Sequence, residues 1–277
     1  MNAGPLPRLV TDTRLAHLRW DGGGPPIVLL HGVGGGRAAW AGVDAGGSGT
    51  GAALAAAGHA VLAVDFPGYG LSATIEPYDL AGMAGALQAT LAALACGPAV
   101  LVGHSMGGMV AQELAAYAPQ TVAALVLAST SAAFGKPGGD WQQGFLQSRF
   151  APLDAGVGMA GLAAQLVPAM VAPAASAQAV VAAQSMMAGV PEATYRRAVS
   201  ALVAFDRRAD LAKIAVPTLV ITGEDDRTAA PDVARRMAER IPGATCQVVS
   251  SAGHLLTLEQ PAAFHAALLN FLASARR

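Results

Sequence analysis

Gly103-His104-Ser105-Met106-Gly107 sets a serine between glycines two residues away on either side, after the apolar run Ala99–Val102 and before a helical pattern. That is the spacing of a nucleophile elbow, a sharp strand-to-helix turn in which side chains at the glycine positions would clash. The helix that opens there aims backbone N–H groups and its positive dipole end at an anion forming beside the serine. In a chain with 33 glycines the five residues alone are a weak signal, and their setting gives them weight.

A serine hydroxyl needs a base, so the chemistry calls for a carboxylate and then a histidine further along the chain. Asp225 and Asp226 stand just past the apolar run Thr218–Thr222 in GEDDRTAAP, and His254 follows another such run in SSAGHLL. Loops beyond the carboxyl ends of strands are where open α/β sheets keep their functional groups. His17, His59 and His265 have no such partners in sequence and read as ordinary strand, turn and helix residues. A tetrahedral oxyanion also needs donors, and the backbone N–H groups of Val33 and Met106 are the candidates. Val33 belongs to the glycine-rich stretch Gly32–Gly36, which could alternatively cradle a phosphate. Its spacing is not Gly-x-Gly-x-x-Gly, however, and only by stretching to Asp44 or Asp65 does an acidic ribose partner appear.

These groups must be positioned by the elements around them. Near-continuous apolar runs at Pro26–Gly32, Ala60–Gly68, Ala99–Ser105, from Val122, from Pro217 and from Thr245 read as strands of a parallel sheet covered on both faces. Between them, Gly49–Ala57, Leu80–Ala95, Gly107–Ala118, Pro231–Arg240 and Pro261–Ala273 read as helices. The fold class is therefore α/β, a mostly parallel, doubly wound sheet, with one or two antiparallel strands expected in Arg8–Trp20. Alternation stops between Ser131 and Asp210, where alanine-rich, helix-prone pieces are punctuated by glycine and proline. Residues 1–130 and 211–277 are thus expected to form a core domain, and residues 131–210 an inserted helical cap.

Composition narrows the function. A net charge of -1 with 13% charged residues leaves no basic stripe for nucleic acid. Cys96 and Cys246 suggest neither a disulfide framework nor a thiolate metal site. The opening residues lack a signal-peptide core, so the cytoplasm is the expected address. Two uncharged stretches, 80–112 and 155–191, are long enough to cross a bilayer, but glycine, proline and glutamine interrupt them and they read as buried or cap helices. No histidine–carboxylate cluster has ligand spacing, so no metal or organic cofactor is expected.

Together HGVGGGRAAW, DFPGYGLS, GHSMGG, GEDDRTAAP and AGH resemble the α/β-hydrolase superfamily, in the right order over nearly the whole chain. The superfamily usually places its acid third after the glycine, which implies Asp226 rather than Asp225. A serine at the elbow separates this chain from haloalkane dehalogenases and epoxide hydrolases, which carry aspartate there. The stretch ALVAFDRRADLAKIAVPTLVITGEDD is similar to 3-oxoadipate enol-lactonases and related carboxylesterases. Carbon–carbon bond hydrolases commonly carry asparagine before the serine and tryptophan after the histidine, where this chain has His104 and Leu255. Cofactor-free perhydrolases share the triad.

The resemblance implies a serine hydrolase acting on a small ester or lactone, with Ser105 as nucleophile, His254 as base and Asp226 as its orienting acid. A hydrolase-fold protein that binds a small ligand without turnover is the alternative of another class. Substrate choice is expected in the cap. Trp141 is placed at the substrate pocket, and Phe145, Phe150, Met159, Met170, Met186 and Met187 are further candidates for an apolar lining. Arg149, Arg196 and Arg197 are candidates to clamp a substrate carboxylate. The apolar cap helices also offer a face for a homodimer.

Overall fold

The computed structural model describes residues 6–42, 49–135 and 138–275, so Asp44 lies outside the described residues. Eight strands among them form one sheet: β1 (Arg8–Val10), β2 (His17–Trp20), β3 (Gly23–Leu30), β4 (His59–Val64), β5 (Ala99–His104), β6 (Val122–Ala128), β7 (Thr218–Gly223) and β8 (Thr245–Val249). Their order is β1-β2-β4-β3-β5-β6-β7-β8. β2 runs against both its neighbours, and every pair from β4 to β8 is parallel. Arg8–Trp20 therefore supplies two strands. β3 begins earlier than its apolar run, and its register shifts between Gly23 and Ile27, where Pro25 and Pro26 have no N–H to give the ladder.

The helices are α1 (Thr50–Ala56), α2 (Leu80–Ala93), α3 (Met106–Tyr117), α4 (Asp140–Asp154), α5 (Gly158–Met170), α6 (Ala177–Ala188), α7 (Glu192–Leu202), α8 (Pro231–Arg240), α9 (Leu256–Glu259) and α10 (Pro261–Ala275). Alternate strand residues face opposite layers, which is why both had to be apolar. Val28, Leu30, Leu101 and Leu125 pack with Met83 and Leu87 of α2 and Val110 and Leu114 of α3. Ile27, Leu29, Val102 and Val126 pack instead with Leu54 of α1 and Phe264 and Leu268 of α10.

From β3 the chain leaves through α1 on one face, whereas from β5 it leaves through α3 on the other. A crevice therefore opens at the carboxyl ends of β3 and β5, the switch point where such sheets bind ligands. Gly32–Gly36 and Ser105 both sit there.

The uncharged stretches are taken up by α2, β5 and the start of α3, and by α5 and α6. No helix among the described residues is long and apolar enough to cross a membrane. Helices α4 to α7 lie between β6 and β7, entering and leaving through a paired neck: Ala133 bridges Asp206, Phe134 N donates to Phe205 O at 3.0 Å, and Arg207 N to Ala132 O at 2.7 Å. Arg207 also forks onto the buried Glu113 of α3, Nε to Oε1 at 3.0 Å and Nη2 to Oε2 at 2.5 Å. This bidentate pair ties the neck to the helix that begins at Ser105.

Candidate active site

Ser105 has φ +52° and ψ −116°, a conformation in which a non-glycine residue is strained. Tertiary structure holds it there. Ser105 N donates to Ala128 O at 2.9 Å and Thr130 Oγ1 donates to Ser105 O at 2.8 Å, so the end of β6 pins both sides of the turn. The flanking glycines are close-approach positions: a Cβ on Gly103 would run into the Gly107 carbonyl, and one on Gly107 into the Leu30 carbonyl of β3.

His254 Nε2 lies 3.1 Å from Ser105 Oγ, and its Nδ1 lies 3.0 Å from Asp226 Oδ2 and 3.2 Å from Oδ1. A carboxylate only accepts, so neutral His254 carries its proton on Nδ1 and presents a lone pair at Nε2 to the serine hydroxyl. Burial pushes the Asp226 carboxyl up. The opposing pull of the His254 charge and hydrogen bond, with the Ala229 and Thr228 N–H groups, wins and holds it well below the usual carboxylate range. Those two N–H groups both donate to Oδ1 at 2.8 Å, which leaves Oδ2 to the histidine and to Thr222 Oγ1 at 3.4 Å. Asp225 makes none of these bonds. His17, His59 and His265 lie on β2, β4 and α10, outside this cluster.

The backbone around His254 is held from four directions. Its N–H donates to Met170 O at 2.7 Å, and its carbonyl accepts from His104 Nε2 at 2.7 Å. Glu259 takes the Gly253 and Leu255 N–H groups at 3.0 Å each, and that of Ala172, between α5 and α6, at 2.7 Å. Sequence reasoning singled out neither His104 nor Glu259 for these bonds. The available signal is a lone carboxylate, Glu259, directly after the mostly apolar Leu255–Leu258 and two residues ahead of Pro261.

Met106 is the first residue of α3, so its N–H has no acceptor within the helix. Gly32 abuts the elbow, with a Cβ there reaching 3.3 Å from Ser105 Cβ, and Val33 follows it with its carbonyl held by Tyr69 Oη at 2.9 Å. Asp65 is tied to the Arg37 guanidinium, to Arg37 N at 2.8 Å and to Leu71 N at 3.3 Å, which commits the acid a ribose would need. Among the described residues no group of His, Cys, Asp or Glu is placed to hold a metal ion.

Burial, the largest effect on each, lowers His31 and His104 to about 4. Unfolded, both titrate near 6.5, so between about pH 6.5 and 4 the unfolded chain binds more protons and stability falls as the pH falls. Reversible urea unfolding should therefore lose a few kcal/mol, on the order of 1–3 per histidine, between pH 7 and pH 5. An unchanged midpoint would contradict the buried, neutral state of this pair.

Ser105 and His254 open into a cavity of about 120 Å³ whose walls include Val33, Phe134, Phe145, Leu166, Met187 and Tyr195. Of the residues expected to line it, Phe145, Met170, Met186 and Met187 do so, while Phe150 and Met159 do not. Trp141 is not in the wall either: it is 61% exposed and stacks from outside on Phe134 and Phe145, at 5.3 and 5.9 Å. Arg196 is paired with Glu192 and Asp154, and Arg197 with Glu76, whereas Arg149 is part of the cavity wall.

A family model described as alpha/beta hydrolase matches residues 27–267. A protein named "Putative carbamate hydrolase RutD" from Variovorax paradoxus is 36% identical over 258 residues, 90% of this chain and 92% of that one. A hydrolase structure from Pseudomonas aeruginosa is 31% identical, with a TM-score of 0.79 over 98% of this chain and 99% of the other. The enol-lactonase of Burkholderia xenovorans, 24% identical, has the same fold, with a TM-score of 0.78 over 96% and 100% of the two chains.

Proposed function

Because the chain belongs to the alpha/beta hydrolase family, we propose that it is a serine hydrolase cleaving a small carboxylic ester or lactone through an acyl-enzyme. The observation that carries this reading is the continuous hydrogen-bonded chain from Asp226 through His254 to Ser105, ending in an apolar cavity. Ser105 Oγ attacks the carbonyl carbon while His254 Nε2 takes its proton, and Asp226 steadies the resulting imidazolium. The tetrahedral oxyanion is received by the Val33 and Met106 N–H groups. Collapse expels the alcohol with the proton from His254, and water repeats the sequence to free the acid. Residues 131–210 act as the cap that sets acyl size.

A carbamate has the same kind of carbonyl, and the relative at 36% identity carries that name, so carbamates are a second substrate reading. The test is hydrolysis of p-nitrophenyl esters from acetate to octanoate, small lactones and a p-nitrophenyl carbamate. Turnover of the short esters or lactones is expected. Halogenation with peroxide that exceeds esterase activity would favour a perhydrolase. Absence of all turnover and of covalent labelling would favour the non-catalytic ligand-binding protein.

Glu259 acts through the loop that carries His254. Glu259→Gln puts an amide N–H2 against a backbone N–H and loses charge-assisted bonds, so kcat for a short ester should fall about tenfold with KM little changed. A change in KM alone would contradict a positioning role.

A further inference from the structure

Among the described residues lining the cavity, Arg149 on α4 is the one with a fixed charge, and no Asp or Glu lines it. Neighbouring cap arginines have carboxylate partners. Arg149 has none among the described residues: its Nη1 donates to Ser148 Oγ at 2.8 Å, and its guanidinium lies 4.6 Å from the centroid of the Phe145 ring. Stacking of that kind fixes the plane of the guanidinium and leaves N–H edges free to fork onto an acceptor. Tyr195 of α7, whose ring is buried, lies against it in the same wall. Burial raises the Tyr195 phenol, and the Arg149 charge together with a hydrogen bond from Arg149 opposes this only in part, leaving it at about 12. The hydroxyl is thus protonated and able to donate at neutral pH. Arg149 thus brings a positive charge without a carboxylate partner to an otherwise apolar wall, and a ligand anion would supply that partner.

We propose that Arg149 and Tyr195 form an anion subsite, and that the natural substrate is a small ester or lactone bearing a carboxylate away from the scissile carbonyl. A single fixed positive charge matches a monoanion, and the planar fork matches a carboxylate. This inference rests on the hydrolase reading above for the scissile bond, but the subsite itself can be tested without turnover.

The first measurement compares kcat/KM for chain-matched pairs: the monomethyl esters of succinate, glutarate and adipate against methyl butyrate, pentanoate and hexanoate. At one length or more the wild type should prefer the anionic member by about tenfold or more, and Arg149→Gln should remove most of that preference. Tyr195→Phe should lower it by a smaller factor, and Arg149→Lys should restore part of it. The second is calorimetric binding of glutarate and adipate to Ser105→Ala protein, with and without Arg149→Gln, where the arginine change should weaken binding by about tenfold. Equal treatment of each ester pair by the wild type, or a preference and a dicarboxylate affinity that survive Arg149→Gln, would overturn the subsite. Should no ester, lactone or carbamate turn over and Ser105 stay unlabelled, the hydrolase reading fails, and the calorimetry still decides the subsite: Arg149-dependent binding supports it and Arg149-independent or absent binding overturns it.

Discussion

Ser105→Ala is expected to lower kcat for a short p-nitrophenyl ester by about 10⁴- to 10⁶-fold, to the level supplied by binding and the oxyanion donors alone. The substitution removes one oxygen, which lies 3.1 Å from His254 Nε2. The bonds that hold the elbow, to Ala128 O and from Thr130 Oγ1, use the backbone of residue 105 and survive the change. Thermal midpoints of the two proteins should therefore agree within a few degrees. A folded alanine variant retaining more than about a tenth of wild-type kcat would remove Ser105 from the chemistry.

Asp226→Asn is expected to cost about 10⁴-fold in kcat, and the hydrogen bonds around the carboxylate explain why. Oδ1 accepts from Thr228 N and Ala229 N, so the amide oxygen of an asparagine must stay at that position. Its N–H2 group then occupies the place of Oδ2, 3.0 Å from His254 Nδ1 in the native chain. Donation from that side forces the proton of His254 onto Nε2, where it faces the serine hydroxyl and cannot accept from it. The variant should also be less stable at pH 7, because the native carboxyl sits below its ordinary range. That stabilisation is complete above an unfolded pKa of about 3.9 and is lost as the pH falls through the native value, so the deficit should shrink below about pH 4. Steady-state kinetics at pH 7, with urea unfolding at pH 7 and at about pH 3, reads both effects. Full activity in the asparagine variant would point to Asp225 or another acid.

Much of this arrangement is legible in the residues because one physical demand repeats. A sheet covered on both faces forces near-continuous apolar strands, and each such run ends where a functional loop begins. Gly103 and Gly107 stand out since backbone of α3 and β3 occupies the space their side chains would take. Less legible are features that depend on which chain segments meet. The first two strands are short with mixed burial, β1 at the sheet edge, and β3 starts across two prolines that argue against a strand. Glu259 is an isolated acid in sequence, and only the fold brings Ala172, Gly253 and Leu255 to it. Trp141 reads as a pocket residue by size and apolarity, but its position on α4 turns it outward, while Phe134 and Phe145 beneath it line the cavity. Arg149 on α4 and Arg196 and Arg197 on α7 look alike in sequence until the positions of Glu76, Asp154 and Glu192 separate Arg149 from the other two.

The most direct test of the central claim is mass spectrometry of the protein after reaction with an alkyl fluorophosphonate, followed by peptide mapping. One phosphonyl group per chain, on Ser105, with esterase activity lost in step with labelling, is the result expected of a nucleophile activated by His254. Hydrolysis of esters that continues with Ser105 unlabelled, or a label carried by another residue, would contradict it.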